Sequence, residues 1–254
     1  MAGMPSGWPE RLFILRHGES AGNVARDLAE RENRPFIDLG VTRELDVPLS
    51  ALGERQARAV GDWLASLPEH ERPTAAIVSP YRRTRQTAEL ALGRLPGVKL
   101  TVDERLRERE FGILNRLTRF GIQARHPELV ELRSTLGKMY FRPPGGESWC
   151  DVLLRLRSLL DTVKLTHADG RLLIVSHQVL VLLFRFLLED LSEEKLLEID
   201  SGQEIANCSI TEFGFDPSVT PAGALRLLRF NHVAPIEAAG EQVTEERDAT
   251  VAPS

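Results

Sequence analysis

The chain has 254 residues, 42% of them hydrophobic and 27% charged, with a net charge of −5. That balance suits a globular protein with a full core, and it excludes the global basic field that nucleic acid demands of a partner. The two cysteines, Cys150 and Cys208, make neither a disulfide framework nor a metal pair.

The opening MAGMPSGWPER has no basic flank followed by an apolar run, so no secretory signal is expected and the cytoplasm is the expected compartment. Leu12 to Leu15 reads as a short strand buried on both faces, as in parallel sheets. It runs straight into Arg16-His17-Gly18-Glu19-Ser20. A helix then starts at the N-cap Ser50, repeats Ala57, Val60, Leu64 and Leu67 on one face, and closes at Pro68. AAIVS, Ala75 to Ser79, is a second buried strand, followed at once by Pro80-Tyr81-Arg82-Arg83-Thr84. The next helix is expected from Thr84 to near Pro96, and KLTV, Lys99 to Val102, is a weaker strand signal.

The stretch Gly112–Gly146 reads as a helical insertion that leaves and rejoins the sheet, its helical part spanning about 113–146. Its cations Arg116, Arg119, Arg125, Arg133, Lys138 and Arg142 leave two readings open, a solvated helical face or a basic lid over an anionic substrate. Arg142 to Ser148 reads as a rigid turn, and two readings of its glycines and Ser148 stay open, an approach to the pocket or a purely structural turn. The turn leads into a helix with capping-box spacing at Ser148 and Asp151 and an apolar stripe from Trp149 to Val163. RLLIVS, Arg171 to Ser176, is a third buried strand and ends in His177-Gln178. VLVLLFRFLL, Val179 to Leu188, is shorter than the ~20 residues a bilayer needs and reads as a buried helix, so no membrane partner is expected. SITEF and ALRLLRF form a late strand pair. From Pro235 the chain turns polar and acidic, and the tail 235–254 is expected to be disordered. The whole predicts one α/β domain over 1–234, three layers deep, with helices on both faces of a mainly parallel sheet.

Three buried strands thus end in polar clusters. In a parallel sheet those ends share one edge, where open α/β sheets bind ligands. Two histidines about 160 residues apart, His17 and His177, can therefore meet there with arginines. Arginine offers planar, permanently charged donors that match phosphate oxygens, and a neutral imidazole beside them can attack phosphorus. Gly18 would let the backbone come close to a ligand. Arg82 and Arg85 read as solvated charges at a helix start. His70, His126, His167 and His232 read as surface groups, no two of them with ligand spacing, so no metal is expected.

LRHGESAGN, SPYRRTRQTAE, LREREFG and VSHQ, in that order, together resemble the histidine phosphatase superfamily, the phosphoglycerate-mutase-like clan. The resemblance covers Leu12 to Phe230. It implies that His17 is the nucleophile that becomes phosphorylated, that Arg16 and Arg83 grip the phosphoryl oxygens, and that His177 helps to stabilise them. Glu108 matches the acid that protonates the leaving oxygen, with Glu110 its competitor in the run RERE. Asn23 matches a residue that lines the pocket, and Gln178 stands where a glycine is more usual. The implied cofactor is none, because arginines supply the positive charge. The implied partner is a small phosphorylated substrate, with the oligomeric state left open, a homodimer included.

Within the superfamily a phosphomonoesterase is the preferred reading. Mutases resemble E-R-Y-Y-G where this chain has Glu108-Arg109-Glu110-Phe111-Gly112, and they carry an aromatic residue where Ala21-Gly22 stand. A phospho-ligand binding module that has lost catalysis is the other alternative, although this chain retains both the nucleophile and the acid.

Overall fold

The computed structural model describes residues 7–220 and 223–245. Six strands form one sheet in the order β3-β2-β4-β1-β5-β6. They are β1 (Arg11–Arg16), β2 (Ala75–Val78), β3 (Lys99–Val102), β4 (Arg171–Ser176), β5 (Ile210–Asp216) and β6 (Ala224–His232). The four strands from β3 to β1 run parallel, while β5 lies antiparallel to both β1 and β6. The three apolar tetrapeptides are thus the centre of a mainly parallel sheet, as their lack of polar alternation requires.

Strand periodicity divides the core. Leu12, Ile14, Leu172 and Ile174 face one side, where they pack with α6 (Trp149–Thr166) and α7 (Gln178–Leu188). Phe13, Leu15, Leu173 and Val175 face the other side, against α2 (Ala51–Ser66) and α3 (Arg82–Leu92). Helix α6 starts where its capping box predicts. The Ser148 hydroxyl accepts from the Asp151 N–H, and the Asp151 carboxylate accepts from the Ser148 N–H. The run after His177 is the buried helix α7, and among the described residues no helix is long and apolar enough to cross a membrane. Helix α3 starts two residues before Thr84 and stops at Leu92, short of Pro96, because Gly93 and a turn closed by Leu95 interrupt it.

The insertion is less regular than expected. It holds two short helices, α4 (Arg119–Arg125) and α5 (Pro127–Leu136), which break at Pro127. They close over a small core of Leu114, Leu117, Ile122, Leu129 and Phe141. The insertion is stitched to the loop after α1 (Ala21–Arg31). Ile37 N–H donates to Arg116 O, and Thr118 N–H donates to Pro35 O. Arg125 lies 4.2 Å over the Phe36 ring, and Arg119 pairs with Glu30.

The expected disorder of the tail is corrected for residues 235–245. Helix α8 (Glu193–Gly202) and the strand pair β5–β6 precede a short α9 (Ala234–Ala238), whose Pro235 and Ile236 are buried. Ile236 joins the core of α2 with Ala57, Val60 and Leu64, and Val243 packs beside it. A few apolar side chains, together with hydrogen bonds at Gln242 and Thr244 and a β-bridge at Glu245, anchor this polar stretch, a signal that average composition hides. The remainder of that tail, 246–254, lies outside the described residues.

Candidate active site

Strand register brings the two histidines together. Arg16 pairs with Ser176 across β1 and β4, so the next residue on each strand, His17 and His177, leaves the sheet side by side. Their ring centroids are 5.3 Å apart at 67°. Val78 pairs with Val175, so Ser79 also emerges here, and its hydroxyl lies 2.8 Å from His177 Nε2.

His17 is held on all sides. Its N–H donates to Ser176 O, and its carbonyl accepts from Cys208 N–H at 3.1 Å and Asn207 Nδ2 at 3.2 Å. Its Nδ1 lies 2.8 Å from Gly18 O. A carbonyl can only accept, so Nδ1 carries the proton and Nε2 keeps its lone pair. That lone pair accepts from Arg83 Nε at 3.2 Å. Gly18 is needed for close approach, but to protein rather than to a ligand. A Cβ there would sit 2.6 Å from Gly53 O in the first turn of α2.

Arg83, in the first turn of α3, links the groups. One terminal nitrogen is 3.3 Å from His177 Nδ1, the other donates to Glu44 O at 3.4 Å, and the guanidinium lies 4.6 Å over the Tyr81 ring. Arg82 and Arg85 point to solvent. Arg16 is fully buried at the end of β1 and donates to Ile205 O. Glu108 Oε2 is 3.3 Å from His177 Nδ1 and 4.0 Å from Arg83. Glu110 is exposed. Its N–H donates to Glu147, and its side chain is absent from the cleft lining.

Both imidazoles are buried, and burial is the first cause that holds each pKa well below the usual 6.5. The Arg83 charge is the second cause at both rings. The histidines are therefore neutral at physiological pH, as an attacking imidazole must be.

Arg16, His17, Arg83, Glu108, Asn23 and Gln178 all line one cleft with about 60 Å³ of room. His177 does not line it. Its ring stands one layer behind, 5.0 Å edge-on to Tyr81, and meets the cleft through Arg83 and Glu108. Asn23 has a second task, since its side chain accepts from Ser20 N–H and caps α1. Gln178 donates to Glu204. The outer wall adds Arg26, Glu44, Phe111 and Arg116. Of the six insertion cations, Arg116 is the one in that wall. Lys138 and Arg142 instead pair with Asp200 and Asp151. Sequence reasoning assigned no role to Ser79, Tyr81 or Glu44. Ser79 had a signal, its place at a strand end; Glu44 had none. His70, His126, His167 and His232 stay off the cleft. Among the described residues no group of three or more His, Cys, Asp and Glu side chains is placed to hold a metal ion.

Fold and site together are those of an α/β protein that sets one neutral imidazole, His17, and two buried guanidinium groups, Arg16 and Arg83, in a cleft at the sheet edge, with a second imidazole, His177, behind them. A family model described as the histidine phosphatase superfamily (branch 1) matches residues 12–223, and the chain belongs to that superfamily. It is 33% identical over 169 residues to a Yersinia enterocolitica protein named probable phosphoglycerate mutase GpmB, a match covering 66% of this chain and 69% of the relative. It is also 33% identical over 171 residues to a phosphoglycerate mutase-like protein of Arabidopsis thaliana, covering 61% of this chain and about half, 53%, of that one. Among solved structures, a mycobacterial glucosyl-3-phosphoglycerate phosphatase in complex with inorganic phosphate superposes with a TM-score of 0.67. That match has 25% identity and covers 89% of this chain and 99% of the other. The chain is thus an enzyme of the histidine phosphatase class.

Proposed function

We propose that the protein is a phosphomonoesterase that hydrolyses a small phosphorylated metabolite through a phosphohistidine on His17. The observation that carries this reading is the Arg83 guanidinium, which sits within 3.3 Å of both imidazoles and covers the His17 Nε2 lone pair. When a phosphate ester enters, the Arg83 N–H moves from that lone pair to a phosphoryl oxygen and releases the nucleophile. His17 Nε2 attacks phosphorus in line, and the bond to the leaving oxygen breaks. Glu108, carrying a proton, gives it to that oxygen, a contribution typically worth ~10²–10⁴-fold in rate. Arg16 and Arg83 hold the charge on the equatorial oxygens, placed before reaction. His177 holds Arg83 and Glu108 in register. Water then attacks the phosphohistidine and loses its proton to Glu108. The P–N bond breaks, leaving inorganic phosphate and neutral His17.

The test is phosphate release from a panel of phosphorylated metabolites, with acid-labile phosphate sought on the protein during turnover. The wild type should release phosphate and carry the label on His17, and His17→Ala should do neither. Retention of a phosphoester without turnover would overturn the reading in favour of a binding module. A mutase reading is favoured by the name of the 33% identical Yersinia relative, and interconversion of 2- and 3-phosphoglycerate faster than phosphate release would establish it. Against it, Glu110 and Ala21-Gly22 stand where mutases carry aromatic residues.

A further inference from the structure

The segment after α9 runs back behind the nucleophile. Gln242 and Thr244 reach two buried amides, Gln56 of α2 and Asn207 of the turn before β5. The donor directions form one chain. Gln56 Nε2 donates to Thr244 Oγ1 at 3.0 Å, and that hydroxyl donates to Asn207 Oδ1 at 3.1 Å. Asn207 Nδ2 then donates to His17 O at 3.2 Å. On the other side, Gln56 Oε1 accepts from Glu19 N–H at 2.9 Å. The strap is also fixed by main chain, since Asn207 N–H donates to Thr244 O at 2.8 Å and Ala206 bridges Glu245.

These links bracket Gly18. One amide holds the carbonyl before it, the other holds the N–H after it, and a single hydroxyl joins the two amides. Gly18 O is in turn the acceptor that keeps the proton on His17 Nδ1 and the lone pair on Nε2. We infer that Thr244 is a positioning residue, which acts through Gln56 and Asn207 to hold the His17–Glu19 backbone and so sets the tautomer and aim of the nucleophile. The inference rests on the phosphohistidine reading for its kinetic consequence, but not for its structural one.

Thr244 is partly exposed, so its hydroxyl can be removed with little disturbance of the core. Thr244→Val keeps the shape and the main-chain link and deletes the relay; Thr244→Ser keeps the relay. Thr244→Val should lower kcat about tenfold, since small misplacements of a reacting group are costly, with KM changed less than about twofold. Thr244→Ser should retain wild-type kcat. Inhibition by inorganic phosphate should be unchanged in both, because the cleft arginines are untouched. Imidazole 15N spectra supply a readout independent of turnover: wild type should show His17 protonated on Nδ1, and Thr244→Val a mixture of tautomers. Wild-type tautomer populations in Thr244→Val would overturn the inference whatever the activity. So would a kcat loss that Ser does not rescue, or one matched by loss of folded protein. An inactive wild type with the predicted tautomer shift would sink the enzymatic reading and leave the positioning role standing.

Discussion

Arg83 makes four contacts that a lysine could not make together: His17 Nε2, His177 Nδ1, Glu44 O and the Tyr81 face. A guanidinium has donors fixed in a fork, whereas an ammonium is a point charge. Arg83→Lys should therefore lower kcat/KM about 10²-fold or more, the usual cost of losing a preorganised donor, and a steady-state assay on any accepted ester checks it. Glu44 would act against the anion under the proposed chemistry. Its carboxylate lies 3.6 Å from Arg83 at the cleft wall, where it would compete with phosphate for the same charge. Glu44→Gln should tighten inhibition by inorganic phosphate by about threefold, a modest gain because the pair is partly screened by solvent. An unchanged or weaker inhibition constant would show that Glu44 is not the competitor. Arg83 rather than Arg82 was legible from motif register, because the motif fixes which residue of the first helical turn faces the sheet edge. Glu44 was not, since a carboxylate in a single 3-10 turn, Glu44–Asp46, follows no period and belongs to no motif.

At the scale of elements, the three buried strands were readable because a continuous apolar run of four residues between turn residues is too short for a core helix and too apolar for a surface loop. The insertion was readable as an insertion only. Its cations gave no period, and the structure uses Arg119, Arg125, Lys138 and Arg142 as staples rather than as a lid. The tightest staple is steric. A Cβ on Gly121, in α4, would lie 2.0 Å from Pro35 O. Gly121→Ala must therefore push α4 away from the 35–37 loop, whose Ile37 lines the cleft together with Arg116. Overpacking of this kind typically costs about 1–3 kcal/mol. The expected result is a raised KM for the ester with kcat nearly kept, because His17, Arg83 and Glu108 sit on other elements. A fall in kcat at constant KM would show that the insertion helps to place the reacting groups. Ser148→Ala makes the contrasting case. It removes the capping-box acceptor of α6 and should lower stability by about 1 kcal/mol in urea titration, leaving both kinetic constants unchanged, since Ser148 is not part of the cleft.

For the whole molecule, the sheet has carried two histidines about 160 residues apart in the sequence into one buried pair, and burial has a consequence for stability. In the unfolded chain each imidazole titrates near 6.5, and in the folded protein both are held well below that value, first by burial and then by Arg83. Well above pH 6.5 both rings are neutral in both states, and their titration takes nothing from stability there. As pH falls through 6.5 the unfolded chain takes up protons that the folded protein refuses. Stability is therefore full on the alkaline side and drains toward acid, with a slope approaching about 1.4 kcal/mol per pH unit for each ring until the folded pKa is reached. Urea midpoints between about pH 7 and pH 5 should fall more steeply for the wild type than for the double variant His17→Asn/His177→Asn, which carries neither titration. Carboxylates elsewhere contribute to both proteins alike, so the difference in slope isolates the pair. Saturating inorganic phosphate should flatten the wild-type slope, because an anion beside the rings favours their protonated forms. Equal slopes for wild type and double variant would mean that the folded site accepts protons as readily as the unfolded chain does. The neutral nucleophile on which the proposed chemistry depends would then be lost below pH 6.5.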